Sequence, residues 1–211
     1  MDYAKPDNPL KSISNFVLVN KSNMEGVRAN SKADKQVAPN QGALSYRLTA
    51  GMKDLNKVLE GPTCISLPRD DEISIKITDC HCSVLDISDG FTSLVVSKDS
   101  QKYLNLYFEK EIILYRCLIQ GLSISPNLFS EAVKYTFSES AFKSILNKFG
   151  WNWEDFSYTS FDDFLIYYLD DFLIYTKRIL GHKLHLKCLQ VVFEAVKMVG
   201  FLFSPSKSQI W

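Results

Sequence analysis

The residues best suited to chemistry are acidic and stand where acid is least at home. Between Phe149 and Thr176 there are six carboxylates and no lysine or arginine. Four of them, Asp162-Asp163 and Asp170-Asp171, lie in the most apolar part of the chain, among Phe, Leu, Ile and Tyr. Unpaired charge is costly to bury there, so a positive partner is expected. Adjacent carboxylates on a tight turn between apolar strands suit Mg²⁺, which takes one or two protein carboxylates and completes its shell with water and substrate phosphates. Solvated turn aspartates are the plain alternative. Asp86 shifts the balance, because it closes the apolar run Ser83-Val84-Leu85 and brings a third carboxylate to the end of a second buried strand. Three carboxylates at two strand ends can hold a pair of Mg²⁺ ions, one lowering the pKa of an attacking hydroxyl and one stabilising a leaving pyrophosphate.

These carboxylates need elements to carry them. Phe161 to Thr176 reads as a hairpin with its turn at Asp170-Asp171. Ser83 to Val96 suggests a buried strand, a break near Gly90 and a second structured piece. Tyr103 to Leu118 reads as strand, charged turn at Glu109 to Glu111, and strand. Ser125-Pro126 signals a helix start, Ser as N-cap and Pro in the first turn. That helix buries Phe129, Val133, Phe137, Phe142, Ile145 and Leu146 and ends near Gly150. His185 to Val199 has helical apolar spacing closed by Gly200, and a strand over Phe201 to Phe203 follows. Leu44 to Leu59, ended by Gly61-Pro62, is strand then turn, or a short helix. Residues 1–43 are polar and read as a loosely structured arm with one strand at Phe16 to Val19.

Composition narrows the class. The chain has 211 residues, 46% hydrophobic and 13% aromatic, enough for one large domain or two small subdomains and unlike a disordered chain. Formal charge is zero, so no overall basic field announces a nucleic-acid partner. No apolar run reaches membrane-spanning length and Met1 to Leu10 lacks a signal-peptide pattern, so a cytoplasmic or nuclear location without membrane contact is expected. Five scattered cysteines make no disulfide framework. Cys80-His81-Cys82 and the pair His182 and His185 each lack a second half at zinc spacing.

The order of the motifs resembles a known family. Tyr168-Leu169-Asp170-Asp171 resembles the Tyr-x-Asp-Asp signature of reverse transcriptases, and Val84 to Phe91 resembles their first catalytic motif. Tyr46-Arg47 with Asp54-Leu55-Asn56-Lys57 is similar to the fingers motif, and Lys98 to Tyr103 to the stretch after the first aspartate. Leu118-Ile119-Gln120-Gly121 with Ser125-Pro126 and Phe129 resembles the Gln-Gly and Ser-Pro motif that opens the next helix. Gly200-Phe201 with Ser204, Ser206-Lys207 and Gln209-Ile210 is similar to the segment after the aspartate pair. The likeness spans residues 44–211 and has the flavour of vertebrate retroviruses and endogenous retroviral elements.

That resemblance implies an α/β (α+β) fold, an antiparallel palm sheet packed on helices with a fingers subdomain from the N-terminal half. Because the sequence reaches Trp211 first, the family's thumb is expected to be absent. It implies RNA-directed DNA polymerase activity, adding deoxynucleotides to a primer 3′-hydroxyl by two-metal-ion catalysis with Mg²⁺ or Mn²⁺. Asp86, Asp170 and Asp171 would be the catalytic and metal-binding carboxylates, Asp171 the less direct of its pair. Arg47 would hold the incoming triphosphate. Phe91 would lie under the sugar and exclude a 2′-hydroxyl, Gln120 and Gly121 would shape the nucleotide pocket, and Lys207 would donate a proton to pyrophosphate. Partners would be primer-template RNA or DNA, deoxynucleoside triphosphates, and additional polymerase subdomains or a further chain.

Departures from the pattern leave alternatives open. Asp162 to Tyr167 recurs as Asp170 to Tyr175, an eight-residue repeat, so either acidic pair could reach the metals; Tyr168 before the second pair favours that one over the first, where Ser160 stands. Gly51 replaces a usual aspartate, Ile119 a usual proline, and Lys35 is only a candidate for the fingers-loop lysine. The chain reaches Trp211 before any primer grip, thumb or RNase H region, which predicts a truncated core with weak, salt-sensitive duplex binding. A catalytically inactive retroelement remnant, or an interaction module, is the alternative.

Overall fold

A computed structural model describes residues 14–20, 46–61, 68–108, 111–152 and 156–210, with residues 14–20, 46–50, 107, 108 and 111 described in backbone alone. Lys35 and most of the N-terminal arm lie outside the described residues. The chain divides into two compact units, 1–60 with 95–123, and 61–94 with 124–211.

The first unit is built on a four-stranded sheet of order β2-β1-β4-β5. Strand β1 (Ser14–Asn20) runs antiparallel to β2 (Tyr46–Ala50), from Phe16 opposite Ala50 to Asn20 opposite Tyr46, and parallel to β4 (Asn105–Phe108). The two expected strands are present as β4 and β5 (Glu111–Leu114), paired antiparallel, and the expected turn at Glu109 to Glu111 falls partly outside the described residues, with Glu111 itself opening β5. After β2 the chain turns into α1 (Lys53–Val58), so Leu44 to Leu59 contains both a strand and a short helix, with Met52 and Leu55 buried. A one-turn helix, later numbered α4 (Lys98–Gln101), precedes β4.

The second unit holds the acidic segments. Its elements are α2 (Asp70–Ile77), β3 (Cys80–Asp86), α3 (Gly90–Ser93), α5 (Ser125–Thr136), α6 (Glu139–Lys148), β6 (Leu165–Tyr168), β7 (Asp171–Lys177), α7 (His182–Met198) and β8 (Gln209–Ile210). The sheet order is β6-β7-β3-β8 with every pairing antiparallel. Cross-strand partners share a face. Leu85 with Phe172, Ser83 with Ile174 and His81 with Thr176 therefore line one face. The Phe137 ring, at the end of α5, packs on Phe172, and His185 of α7 bonds Ser83 and Thr176, so this face is the helix-covered one. Asp86 and Asp171 fall on the opposite face by the same alternation.

The core of this unit is aromatic. Phe142 meets Phe156, Phe161 and Phe164, and Phe137 meets Phe161, Tyr167 and Phe172. Each buried phenylalanine among them contributes about 1.5–3 kcal/mol through removal from water. Helix α7 presents Cys188, Leu189, Val192, Ala195 and Val196 inward at the expected spacing, and Lys148 of α6 pairs with Glu194 across the two helices.

Four readings of the sequence are corrected. The expected helix from Ser125 to Gly150 is two helices, because Ser138 takes an extended conformation and its hydroxyl accepts the Ala141 N–H, starting α6 afresh. Ser125 is the first residue of α5 rather than its cap; Ile124 holds the N-cap position. Phe201 to Phe203 forms a single bridge, Phe203 to Ile87, not a strand. The hairpin turn is Leu169-Asp170, one residue earlier than expected. Among the described residues no helix is long and apolar enough to cross a membrane.

Candidate functional site

The shift of the hairpin turn decides where the carboxylates point. Tyr168 pairs with Asp171 across a two-residue connection, so Asp170 occupies the turn and Asp171 opens β7. Leu169 adopts φ 53° to make this turn, a left-handed conformation that L-residues with bulky side chains avoid. The result is that Asp171 stands directly opposite Asp86, the last residue of β3. The Asp170 carbonyl accepts the Ile87 N–H at 2.8 Å, which fastens the turn to the end of β3.

Asp86 is 8% exposed and fixed from a third direction by the turn Ser204 to Ser208. Ser204 N–H donates to the Asp86 carbonyl at 2.8 Å, and the Asp86 N–H donates to Ser208 Oγ at 3.4 Å. The turn is closed by Lys207 N–H and Ser208 N–H donating to the Ser204 carbonyl, which also accepts the Ser208 hydroxyl. It delivers Lys207 Nζ to both carboxylate oxygens of Asp86, at 2.9 and 3.1 Å. Desolvation, then the neighbouring carboxylates of Asp170 and Asp86, push the Asp171 carboxyl above its ordinary range, with the Lys207 ammonium pulling the other way. Among the described residues Lys207 is the cation that offsets these neighbouring like charges.

The first acidic pair is differently employed. It lies in a 3-10 turn, Phe161–Asp163, where Asp163 Oδ2 accepts Thr159 N–H at 2.7 Å, Ser160 N–H at 3.0 Å and the Thr159 hydroxyl at 3.1 Å. Burial opposes its ionisation, but these donors prevail and hold the Asp163 carboxyl below its ordinary range. Asp162 lends its carbonyl to the Tyr175 hydroxyl.

Of the remaining sequence-predicted residues, Phe91 is half-buried on α3 with its ring 5.1 Å from Phe129. Gly90 before it has no room for a side chain, since a Cβ would stand 2.7 Å from the Phe129 ring. In the first unit Arg47 lies in β2 opposite Val19. Gln120 and Gly121 form a turn, Gly121 at φ 104°, whose carbonyl accepts from Asn56 Nδ2 at 2.9 Å while Asn56 Oδ1 accepts the Ser123 N–H. The amide of Asn56 thus ties the fingers-like motif to the Gln-Gly turn.

Sequence reasoning passed over three participants. Ser204 was visible only as a member of a motif and Ser208 was not singled out at all, with nothing to show that they anchor Lys207. His185, weighed only for zinc, is 2% exposed and bridges Ser83 Oγ at 2.8 Å and Thr176 Oγ1 at 3.0 Å. Among the described residues no three His, Cys, Asp or Glu side chains gather closely enough to be read as a metal site on their own. The carboxylates that the strands do bring near one another are those of Asp86 and Asp171, which are cross-strand partners, and of Asp170 on the adjoining turn. Carboxylates are the ligand type a hard cation takes when water and substrate oxygens complete its shell.

Known proteins share this architecture. The chain is 26% identical over 170 residues to the Gag-Pol polyprotein of walleye dermal sarcoma virus, covering 80% of this chain and 10% of the polyprotein. The prototype foamy virus protease-reverse transcriptase (CSH mutant) is similar in structure with a TM-score of 0.63 at 16% identity, covering 97% of this chain and 22% of that one. The foamy viral protease-reverse transcriptase solved in complex with double-stranded DNA matches with a TM-score of 0.54 at 22% identity, covering 83% and 26%. The chain thus spans about a tenth of the polyprotein and about a quarter of the foamy virus chains. The model of the family described as reverse transcriptase (RNA-dependent DNA polymerase) matches residues 31–211, and the chain belongs to that family, among its retroviral members.

Proposed function

We propose that this chain is the fingers and palm core of an RNA-directed DNA polymerase that adds deoxynucleotides to a primer 3′-hydroxyl on an RNA or DNA template. The observation that carries the reading is the register of Asp86 against Asp171, with Asp170 in the adjoining turn. In this reading Asp86, Asp170 and Asp171 hold the divalent ions, Mg²⁺ or Mn²⁺. When bound, the ions lower the pKa of the attacking hydroxyl and offset the charge on the leaving pyrophosphate. The protein's own part is positioning and electrostatics. The β3 and β7 ends set the carboxylate spacing, and the turn at Leu169-Asp170 keeps it from drifting. Phe91, braced by Phe129, would take the sugar on its ring and disfavour a 2′-hydroxyl. For Arg47 a triphosphate-binding role, and for Gln120 and Gly121 a role in the nucleotide pocket, are proposed from their match to the family's motifs alone. Lys207 would supply a proton to the departing pyrophosphate. A relative has been solved in complex with an RNA/DNA hybrid and another with double-stranded DNA, which supports primer-template as the partner here.

A catalytically inactive chain is the second reading, favoured by the formal charge of zero, which leaves little general attraction for a polyanion. Primer extension on poly(rA) with oligo(dT), in Mg²⁺ or Mn²⁺, separates the two. Incorporation lost in Asp86→Asn and in Asp170→Asn supports the polymerase. No incorporation at high protein concentration and low salt sinks it.

A further inference from the structure

The ion pair between Lys207 and Asp86 is unlike the exposed pairs elsewhere on this chain. Lys57 with Asp54 and Lys143 with Glu139 join flexible side chains on one helix, each partner more than half exposed, the kind of contact that contributes little. Asp86 has a side chain 11% exposed, and Lys207 meets both of its oxygens. Lys207 is also delivered by a turn whose two serines are hydrogen-bonded to the backbone of Asp86 itself. Carboxylate and ammonium are therefore held in one local frame, and their encounter owes little to chance.

A carboxylate with both oxygens engaged by an ammonium has few lone pairs left in a good direction for a second cation. Resting on the reading of Asp86 as a metal ligand, we propose that Lys207 is a built-in placeholder cation: it neutralises Asp86 in the metal-free protein, must release it when a divalent ion arrives, and is thereby freed to face the triphosphate. Lys207 is 58% exposed, so its ammonium can swing into water without disturbing the packed core. The Ser204 to Ser208 turn stays fixed by its own hydrogen bonds during the exchange. Metal occupancy and availability of the lysine are then two sides of one equilibrium. Removing the lysine's charge must strengthen metal binding even as it removes a group the reaction uses.

The test uses Mn²⁺ alone as the probe, titrated into the intact chain by electron paramagnetic resonance, together with amine labelling of Lys207 read by mass spectrometry. Lys207→Gln is expected to bind Mn²⁺ about five- to tenfold more tightly than the parent, and Lys207→Arg, which keeps the charge, to bind like the parent. In the unsubstituted protein, Mn²⁺ is expected to speed labelling of Lys207 while leaving Lys143 unchanged. Equal or weaker binding by Lys207→Gln, or labelling of Lys207 that Mn²⁺ does not alter, overturns the placeholder role while the metal reading stands, provided Asp86→Asn lowers Mn²⁺ affinity. Absence of Mn²⁺ binding in every form overturns both.

Discussion

The sequence Asp-Asp-Phe-Leu-Ile-Tyr occurs twice, at 162–167 and 170–175, and the two copies have different fates. In the first copy the acidic pair ends a 3-10 turn and Asp163 is spent on the backbone N–H groups of Thr159 and Ser160. In the second, the acidic pair joins β6 to β7 and Asp171 faces Asp86. Both phenylalanines go to the core, Phe164 at 0% and Phe172 at 1% exposed. The hexapeptide thus specifies an apolar anchor, and what precedes it specifies the use of its acids. Thr159 and Ser160 supply donors to the first pair, whereas Tyr168 and Leu169 supply none and make a tight turn for the second.

The largest test concerns the shared part. Phe164→Ala and Phe172→Ala should each cost about 3–5 kcal/mol, read as lowered urea midpoints; a cost confined to one of them would break the equivalence of the two anchors. The sharpest functional contrast comes next. Asp170→Asn and Asp171→Asn should lower primer extension by about a hundredfold or more, while Asp162→Asn leaves it within about threefold of the parent, judged by that same scale. Loss through Asp162 would reverse the assignment of the pairs.

Asp163→Ala should cost about 1 kcal/mol of stability through loss of the cap, with polymerisation per folded molecule unchanged. The smallest effect is in pH dependence, measured in chelator. Asp163, with its folded pKa depressed, contributes stability that is present above the unfolded carboxylate pKa and lost as pH falls through the folded value. Asp171, with its folded pKa raised, acts in the opposite sense: its contribution is full at low pH and is lost as pH rises through the folded value. Asp163→Asn and Asp171→Asn should therefore tilt the acid limb of the stability curve in opposite directions. Parallel slopes would refute the contrast.

How far this was legible in the sequence depends on the kind of signal. Apolar periodicity found α7 and the core residues of α5 and α6, because burial of one stripe is what forms those helices. It missed the break at Ser138, since Phe137 and Phe142 remain inward on both sides of it and only the serine cap betrays the restart. It was silent on α2, none of whose residues is buried, so that no stripe exists to be read. That Asp86 and the second acidic pair stand at the ends of paired strands was expected from residue types and order, and the register places them so. The turn was placed one residue late because Asp-Asp looks like a turn by composition, whereas the backbone puts a leucine into the left-handed region to keep Asp171 on the strand. The grip of Lys207 on Asp86 joins residues 121 apart, and no local pattern carries such a fact.

His185 has a consequence for how this chain can change over time. Its ring is the shared partner of Ser83 and Thr176, hydroxyls that are both 0% exposed, and burial followed by the nearby His81 depresses its pKa so that it serves as a neutral bridge. Replacing the ring with an apolar side chain would strand two hydroxyls in the dry seam between sheet and helix, at about 1–3 kcal/mol each. Replacing a hydroxyl first would strand the ring. The three positions are locked as a unit, and a lineage leaving this arrangement must change them together or cross a valley of lowered stability.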